Sequence, residues 1–178
     1  VILLSMNNDG YRNLIKLMSL AQLEGFYYVP RIDRELLRKY SDGLICLTAC
    51  IKGEIPNSIL KGDEKKTKDI VEEYYSIFGD RLFFELQDNG LDEQKRVNEA
   101  LINLSGHYGI PIVATNDCHY LRKSEARAHE LLLCIQTGKT INDQNRLSFK
   151  SDEFYFKSPD EFERAFSEYP EALTNTVK

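Results

Sequence analysis

Residues 92–120, DEQKRVNEALINLSGHYGIPIVATNDCHY, carry the pattern that decides the fold. Val97, Leu101, Leu104 and Tyr108 recur at intervals of four, three and four, which is one face of an amphipathic helix, and Gly109 stands where such a helix stops. Ile110 to Ala114 then form a short, nearly all-apolar strand, and Thr115 to Tyr120 a polar loop. The same unit recurs toward the N-terminus. Strand Leu82 to Leu86 follows a helix over Asp63 to Phe78, in which Ile70, Tyr74 and Phe78 share a face beside Val71 and Tyr75 and which Gly79-Asp80 ends. Strand Leu44 to Thr48 opens after Gly43 and is preceded by a short helix with Leu36 and Leu37, capped by Asp33. At the start, an apolar run over residues 1–6 meets Asn7, Asn8 and Asp9, good capping residues, ahead of Tyr11, Leu14, Ile15 and Met18 at helical spacing.

Short apolar strands alternating with helices predict a parallel sheet covered on both faces, so the fold class is α/β. Beyond Thr115 the pattern changes. A helix over Ser124 to Gln136, a polar loop at Asn142 to Arg146, a short Phe154-Tyr155-Phe156 strand and a helix carrying Phe162, Ala165, Phe166 and Tyr169 make a mostly helical extension. A boundary near Gly138 divides residues 1–138 from residues 139–178. No internal repeat or low-complexity tract is present.

Composition bounds the function. With 178 residues and 42% hydrophobic content the chain can bury a core of its own. At 29% charged residues and a mean hydropathy of -0.41, no stretch approaches the roughly 20 apolar residues of a membrane span, which predicts no membrane partner. The opening Val-Ile-Leu-Leu-Ser-Met is neither an initiator nor a secretory signal, and reads as a start inside a longer chain. Cys46, Cys50, Cys118 and Cys134 lack CxxC spacing, which points to a reducing, cytoplasmic setting. A net charge of -5 offers no general attraction to a polyanion, so any contact with DNA is local or made elsewhere.

Chemistry is expected just past the carboxyl ends of the strands. These ends are Ala49-Cys50-Ile51-Lys52-Gly53-Glu54, Gln87-Asp88-Asn89-Gly90 and Thr115-Asn116-Asp117-Cys118-His119-Tyr120. Asp117 and His119, two apart in extended backbone, point to one side and can offer a carboxylate oxygen and an imidazole nitrogen to a common metal. Cys50 can add a thiolate. That mixed set suits zinc, with iron and manganese as alternatives. Against this, Asp-x-His pairs in loops more often cap turns, and a lone cysteine is more often a small buried hydrophobe. Glu54 reads as a helix N-terminal charge, His107 as a helix C-terminal one, and His129, among Ala126, Ala128 and Leu132, as structural or exposed. Gly138-Lys139-Thr140 lacks the first glycine of a phosphate-binding loop and follows a helix, so it is set aside.

Four runs then carry a resemblance: residues 24–33 (EGFYYVPRID), 84–88 (FELQD), 113–120 (VATNDCHY) and 132–140 (LLCIQTGKT). In this order they resemble bacterial DNA polymerase III alpha subunits, across essentially the whole chain. The resemblance implies a polymerase-and-histidinol-phosphatase (PHP) domain, a distorted (β/α)7 barrel with parallel strands whose metal cluster activates water against phosphoesters. On it, residues 1–138 are the later part of the PHP domain and residues 139–178 a region leading toward the polymerase palm. Cys50, Asp117 and His119 match metal-ligand positions; an upstream His-x-His and the palm aspartates lie outside the chain, so no catalytic residue is assigned. The implied functions are template-directed DNA synthesis by the longer protein, with magnesium, and a PHP site that is a 3'-5' exonuclease or a scaffold for a proofreading subunit. The implied partners are the rest of the alpha subunit, that exonuclease subunit, and DNA through the longer protein. The competing reading is a free-standing PHP phosphoesterase similar to histidinol phosphatase, which leaves the segment after Gly138 without a role.

Overall fold

A computed structural model describes residues 1–177 and divides the chain into two compact units, residues 1–84 with 104–111, and residues 85–103 with 112–178. Four strands, β1 (Ile2–Ser5), β2 (Leu44–Leu47), β3 (Leu82–Gln87) and β4 (Ile112–Thr115), form one sheet in chain order. The fold is mixed α/β, as the alternating pattern predicts.

In the first unit, α1 (Asn8–Leu23) is started by Asn7, whose side chain accepts a 2.8 Å hydrogen bond from the Gly10 amide. Leu17 and Ala21 face inward. The helix lies so close to the entry of β2 that a Cβ on Gly10 would sit 1.9 Å from the Gly43 carbonyl oxygen; no residue but glycine fits. α2 (Arg34–Lys39) is capped by Asp33, and α4 (Glu64–Phe78) by Asp63, each side chain accepting from the amide three residues on. Between β2 and α4 the chain makes a further helix, α3 (Glu54–Leu60), whose Ser58 hydroxyl bonds Thr67 of α4 at 2.7 Å. The sequence marked only the start of α3, through Glu54 as a helix N-terminal charge, because Pro56 within its first turn and its seven residues leave no apolar period from which to read its extent.

Parallel pairing holds for β2 and β3, with Cys46 opposite Leu82 and Leu47 opposite Phe83. The expectation of uniformly parallel strands is corrected at β1, which pairs antiparallel with β2, Ile2 opposite Leu47 and Ser5 opposite Leu44. An apolar run specifies a strand but not its direction. Direction follows from the connection, and here α1, an extended loop and α2 replace the single crossover helix that returns a chain parallel. β1 stands at the end of the sheet, with Ile2 and Leu4 exposed.

α5 (Asp92–Tyr108) buries Val97 and Leu101 in its second-unit part, and Gly109, at φ +67°, follows its last residue. α6 (Ala126–Thr137) ends on Gly138 in the left-handed region, α7 (Pro159–Ala165) and α8 (Pro170–Thr174) follow. The expected Phe154–Phe156 strand is reduced to a single parallel bridge, Tyr155 with Tyr120. The final expected helix is broken between α7 and α8, since Phe166 and Tyr169 leave helical backbone before Pro170. The C-terminal segment closes over β4, where the Asn175 amide donates to the Ile112 carbonyl at 2.7 Å.

Two outcomes follow. Phe84, fully buried in β3, is expected to cost about 3–5 kcal/mol as Phe84→Ala in chemical unfolding. At the start of α7, Glu161 accepts from the Ser158 hydroxyl and amide and from the Tyr155 hydroxyl, which pulls its pKa from 4.5 to about 2. Because the folded value is the lower one, this contribution is complete above about pH 4.5 and is lost as pH falls toward 2. The thermal midpoint of Glu161→Gln is therefore expected to change less with pH across that window than the parent's.

Candidate metal centre

Within the second unit, β4 delivers Thr115 at its carboxyl end, and the loop beyond brings Asp117 and His119 together. His119 Nε2 lies 3.3 Å from Asp117 Oδ1, with both side chains partly open to solvent. The loop is held in place by backbone bonds to a distant segment: the His119 amide donates to the Phe154 carbonyl at 2.8 Å, and the Phe156 amide to the Tyr120 carbonyl at 3.2 Å. Rings then fix the imidazole. Phe149 meets His119 edge-on at 4.7 Å and Phe154 at 5.5 Å, while His129 of α6 stands 5.6 Å away. Burial, and then the neighbouring His119, lower the pKa of His129, so that it favours the neutral form. Next to it, an opening of about 410 Å³ is lined by Tyr120, Arg127, His129, Phe149, Ser151 and Asp152.

Below this loop runs a buried polar set. Glu85 and Gln87 alternate along β3, so they share a face, and Thr115 joins them. The Thr115 hydroxyl donates to Glu85 Oε1, and Gln87 Nε2 reaches Glu85 Oε1 at 3.1 Å and Thr115 at 3.2 Å. Asn98 of α5 adds its amide to the Gln87 carbonyl at 2.8 Å. The loop after β3 is tied down by Lys157, whose buried ammonium donates to the carbonyls of Asp88 at 3.1 Å and Glu153 at 2.8 Å.

Cys50 belongs to the first unit. It sits half-buried in a tight turn after β2, where Ala49 adopts φ +64° and the Gly53 amide donates to the Cys50 carbonyl at 2.7 Å. A Cβ on Gly53 would lie 2.1 Å from the Thr48 carbonyl oxygen, so the turn requires glycine. Glu54 opens α3, as the sequence reading had it, and accepts hydrogen bonds from Arg34 and from the Tyr74 hydroxyl at 2.9 Å. Arg34 also bonds Glu73 at 2.9 Å and lies 4.1 Å over the Tyr74 ring. Burial raises the Tyr74 hydroxyl above its usual range, so it stays protonated.

Of the three expected ligands, Asp117 and His119 are thus brought together and Cys50 lies in the other unit. The pair fits a divalent cation in donor type, but a four-coordinate ion takes two donors more. Among the described residues no three of His, Cys, Asp and Glu are gathered to hold a metal. The sequence reading passed over the ring box around His119, since Phe149, Phe154 and His129 are dispersed in sequence. The alternation of Glu85 and Gln87 in an otherwise apolar strand was a usable signal for the buried polar set.

Comparison with known proteins gives a consistent result. Residues 1–89 match the family model of the PHP domain. Over the whole chain the sequence is 46% identical to the DNA polymerase III subunit alpha of Treponema pallidum (strain Nichols), of which it covers 15%. Over 99% of its length it is 48% identical to the DNA polymerase III subunit alpha of Thermus aquaticus, again covering 15%. The corresponding subunit of Borreliella burgdorferi is 46% identical over 100% of the chain and is covered to 16%. The chain therefore spans about 15% of the length of these relatives.

The buried polar set yields a direct test. Thr115→Val removes one donor to the buried Glu85 while keeping shape, and is expected to cost about 1–3 kcal/mol in urea unfolding.

Proposed function

This chain belongs to the PHP domain family, and we propose that it serves as a PHP-bearing stretch of a bacterial DNA polymerase III alpha subunit, the enzyme of template-directed DNA synthesis. The observation that carries the reading is identity of 46–48% maintained along essentially the whole chain, through the region beyond the PHP match as well as within it. On this reading residues 1–138 form part of a distorted (β/α)7 barrel, and residues 139–178 lead toward the palm, whose aspartates and magnesium perform nucleotide transfer. The remainder of the alpha subunit is the principal partner. A proofreading exonuclease subunit docked on the PHP domain, and DNA bound through the longer protein, complete the assembly.

For the PHP site we propose Cys50, Asp117 and His119 as metal-ligand positions, with zinc favoured over manganese or iron because thiolate and imidazole are softer donors than oxygen alone. When bound, such a metal supplies a water activated for attack on a phosphoester. This chain's contribution is orientation. The backbone bonds to Phe154 and the rings of Phe149 and Phe154 hold His119 toward Asp117, so its donor geometry is set before any ion arrives. A 3'-5' exonuclease and a scaffold for a separate proofreading subunit are the two uses such a site can serve.

Primer extension on a polypeptide of the relatives' full length is the decisive assay, and it is expected to incorporate nucleotides, whereas the 178-residue chain is expected neither to extend primers nor to cleave phosphodiesters efficiently. In the chain, His119→Ala is expected to lower bound metal as read by mass spectrometry of the purified protein. Vigorous metal-dependent hydrolysis by the chain alone, abolished by His119→Ala, would replace this reading with a free-standing PHP phosphoesterase.

A further inference from the structure

The loop between α1 and α2 exposes an unusual run of rings. Phe26, Tyr27, Tyr28 and Val29 are each more than half exposed, Tyr28 at 82%, and Leu23 beside them is also 82% exposed. The loop is nonetheless tightly folded. The Tyr27 amide donates to the Val29 carbonyl at 3.2 Å, and a Cβ on Gly25 would fall 2.0 Å from the Arg31 carbonyl oxygen. Tyr28 adopts φ +61°, a backbone state that costs a residue with a side chain on the order of 1–3 kcal/mol. A ring held outward at that cost, in a loop with a defined backbone, is a presented surface.

Its place in the first unit gives it a direction. α1 begins beside Gly43, at the entry to β2, and its 16 residues carry the chain about 24 Å away from that entry. Arg34, the first residue of α2, is bonded to Glu54, the first residue of the helix that follows the carboxyl end of β2. The loop thus stands at the end of the sheet where Cys50 lies, the end at which α/β proteins bind ligands. Two features select the ligand. The Arg31 guanidinium lies 5.0 Å over the Tyr27 ring and so covers one of its faces, and Tyr27 meets Tyr28 edge-on at 4.6 Å, which leaves the exposed Tyr28 ring and the exposed Arg31 guanidinium as the open faces. Arg31 is also exposed, with no carboxylate partner among the described residues.

We infer that this loop, centred on Tyr28 with Tyr27 and Arg31, is a stacking platform for the bases of a single-stranded nucleic acid at that end of the sheet. Stacking on rings is indifferent to base identity and needs few phosphate contacts, which reconciles nucleic-acid binding with a net charge of -5. A duplex hides its base faces and offers the platform only its ends. The inference rests on the nucleic-acid reading proposed above, although its test is separate from primer extension.

The test is fluorescence anisotropy of the chain with a labelled oligothymidylate of about ten nucleotides, long enough for one such site, and with a duplex of equal length. Tyr28→Gly is expected to weaken single-strand binding roughly 5- to 100-fold. The same change should raise the thermal midpoint, because glycine adopts φ +61° without a Cβ clash. Loss of binding by a protein that has become more stable cannot come from misfolding. Tyr28→Trp is expected to retain or tighten binding, and Arg31→Ala to weaken it and to lower the slope of log affinity against log salt by about one. Undiminished binding by Tyr28→Gly, equal affinity for duplex, or no binding by the parent chain would each overturn the inference while leaving the polymerase reading to its own assay. An effect of Tyr28→Gly confined to self-association in sedimentation would overturn it in favour of a protein-docking loop.

Discussion

Backbone amides and carbonyls at the border of a sheet need partners, and the way this chain meets that need organises its second unit. β4 is covered by the C-terminal segment, through the bond from Asn175 to the Ile112 carbonyl. Further along, the backbone of His119 and Tyr120 is taken up by Phe154 and Phe156. These bonds are indifferent to side-chain identity, yet they fix where side chains end up. By pinning the loop after β4, they seat His119 against the contacting rings of Phe149 and Phe154 and beside Asp117. The candidate centre is a consequence of how the chain finishes its sheet. In the first unit β1 is treated differently: it ends the sheet antiparallel, with apolar side chains turned outward.

Charged and polar groups inside each unit are handled by complementarity. Arg34 is shared between Glu54 and Glu73 and stacked on Tyr74. Its removal would leave two carboxylates facing one another, so the cluster specifies how α2, α3 and α4 assemble more than it adds net stability. The Glu85, Gln87 and Thr115 set does the same for β3 and the end of β4. A polar group in a strand interior is tolerated only with partners in reach, which constrains the register of its neighbours and hence the loop that carries Asp117.

Function in this molecule is local and not compositional. An acidic chain has no general affinity for a polyanion, so whatever recognition it performs must use a few groups at short range. The proposed ligand pair Asp117 and His119 and the loop at residues 26–31 proposed for stacking are both of that kind. Each is built on backbone that other segments hold, the one by Phe154, the other by the close approach of Gly25 to Arg31. Groups so held lose little freedom when a ligand arrives, which lets few contacts suffice.

The sequence by itself determined the α/β class, the places of β1 to β4 and of the longer helices, the caps at Asn7 and Asp33, and the nearness of Asp117 to His119. All of these follow from local rules, a period of 3.6 or 2 residues, a side chain that reaches its own backbone three residues on, or two side chains two residues apart. Family likeness was equally legible, because long runs of residues carry it. The tertiary structure alone decided the antiparallel sense of β1, the break between α7 and α8, the reduction of residues 154–156 to one bridge, and the rings around His119. It also assigned Cys50 to one unit and Asp117 with His119 to the other. Those features depend on which distant segments meet. Residues 119 and 154 are neighbours because the backbone of one satisfies the other, and no local period records that.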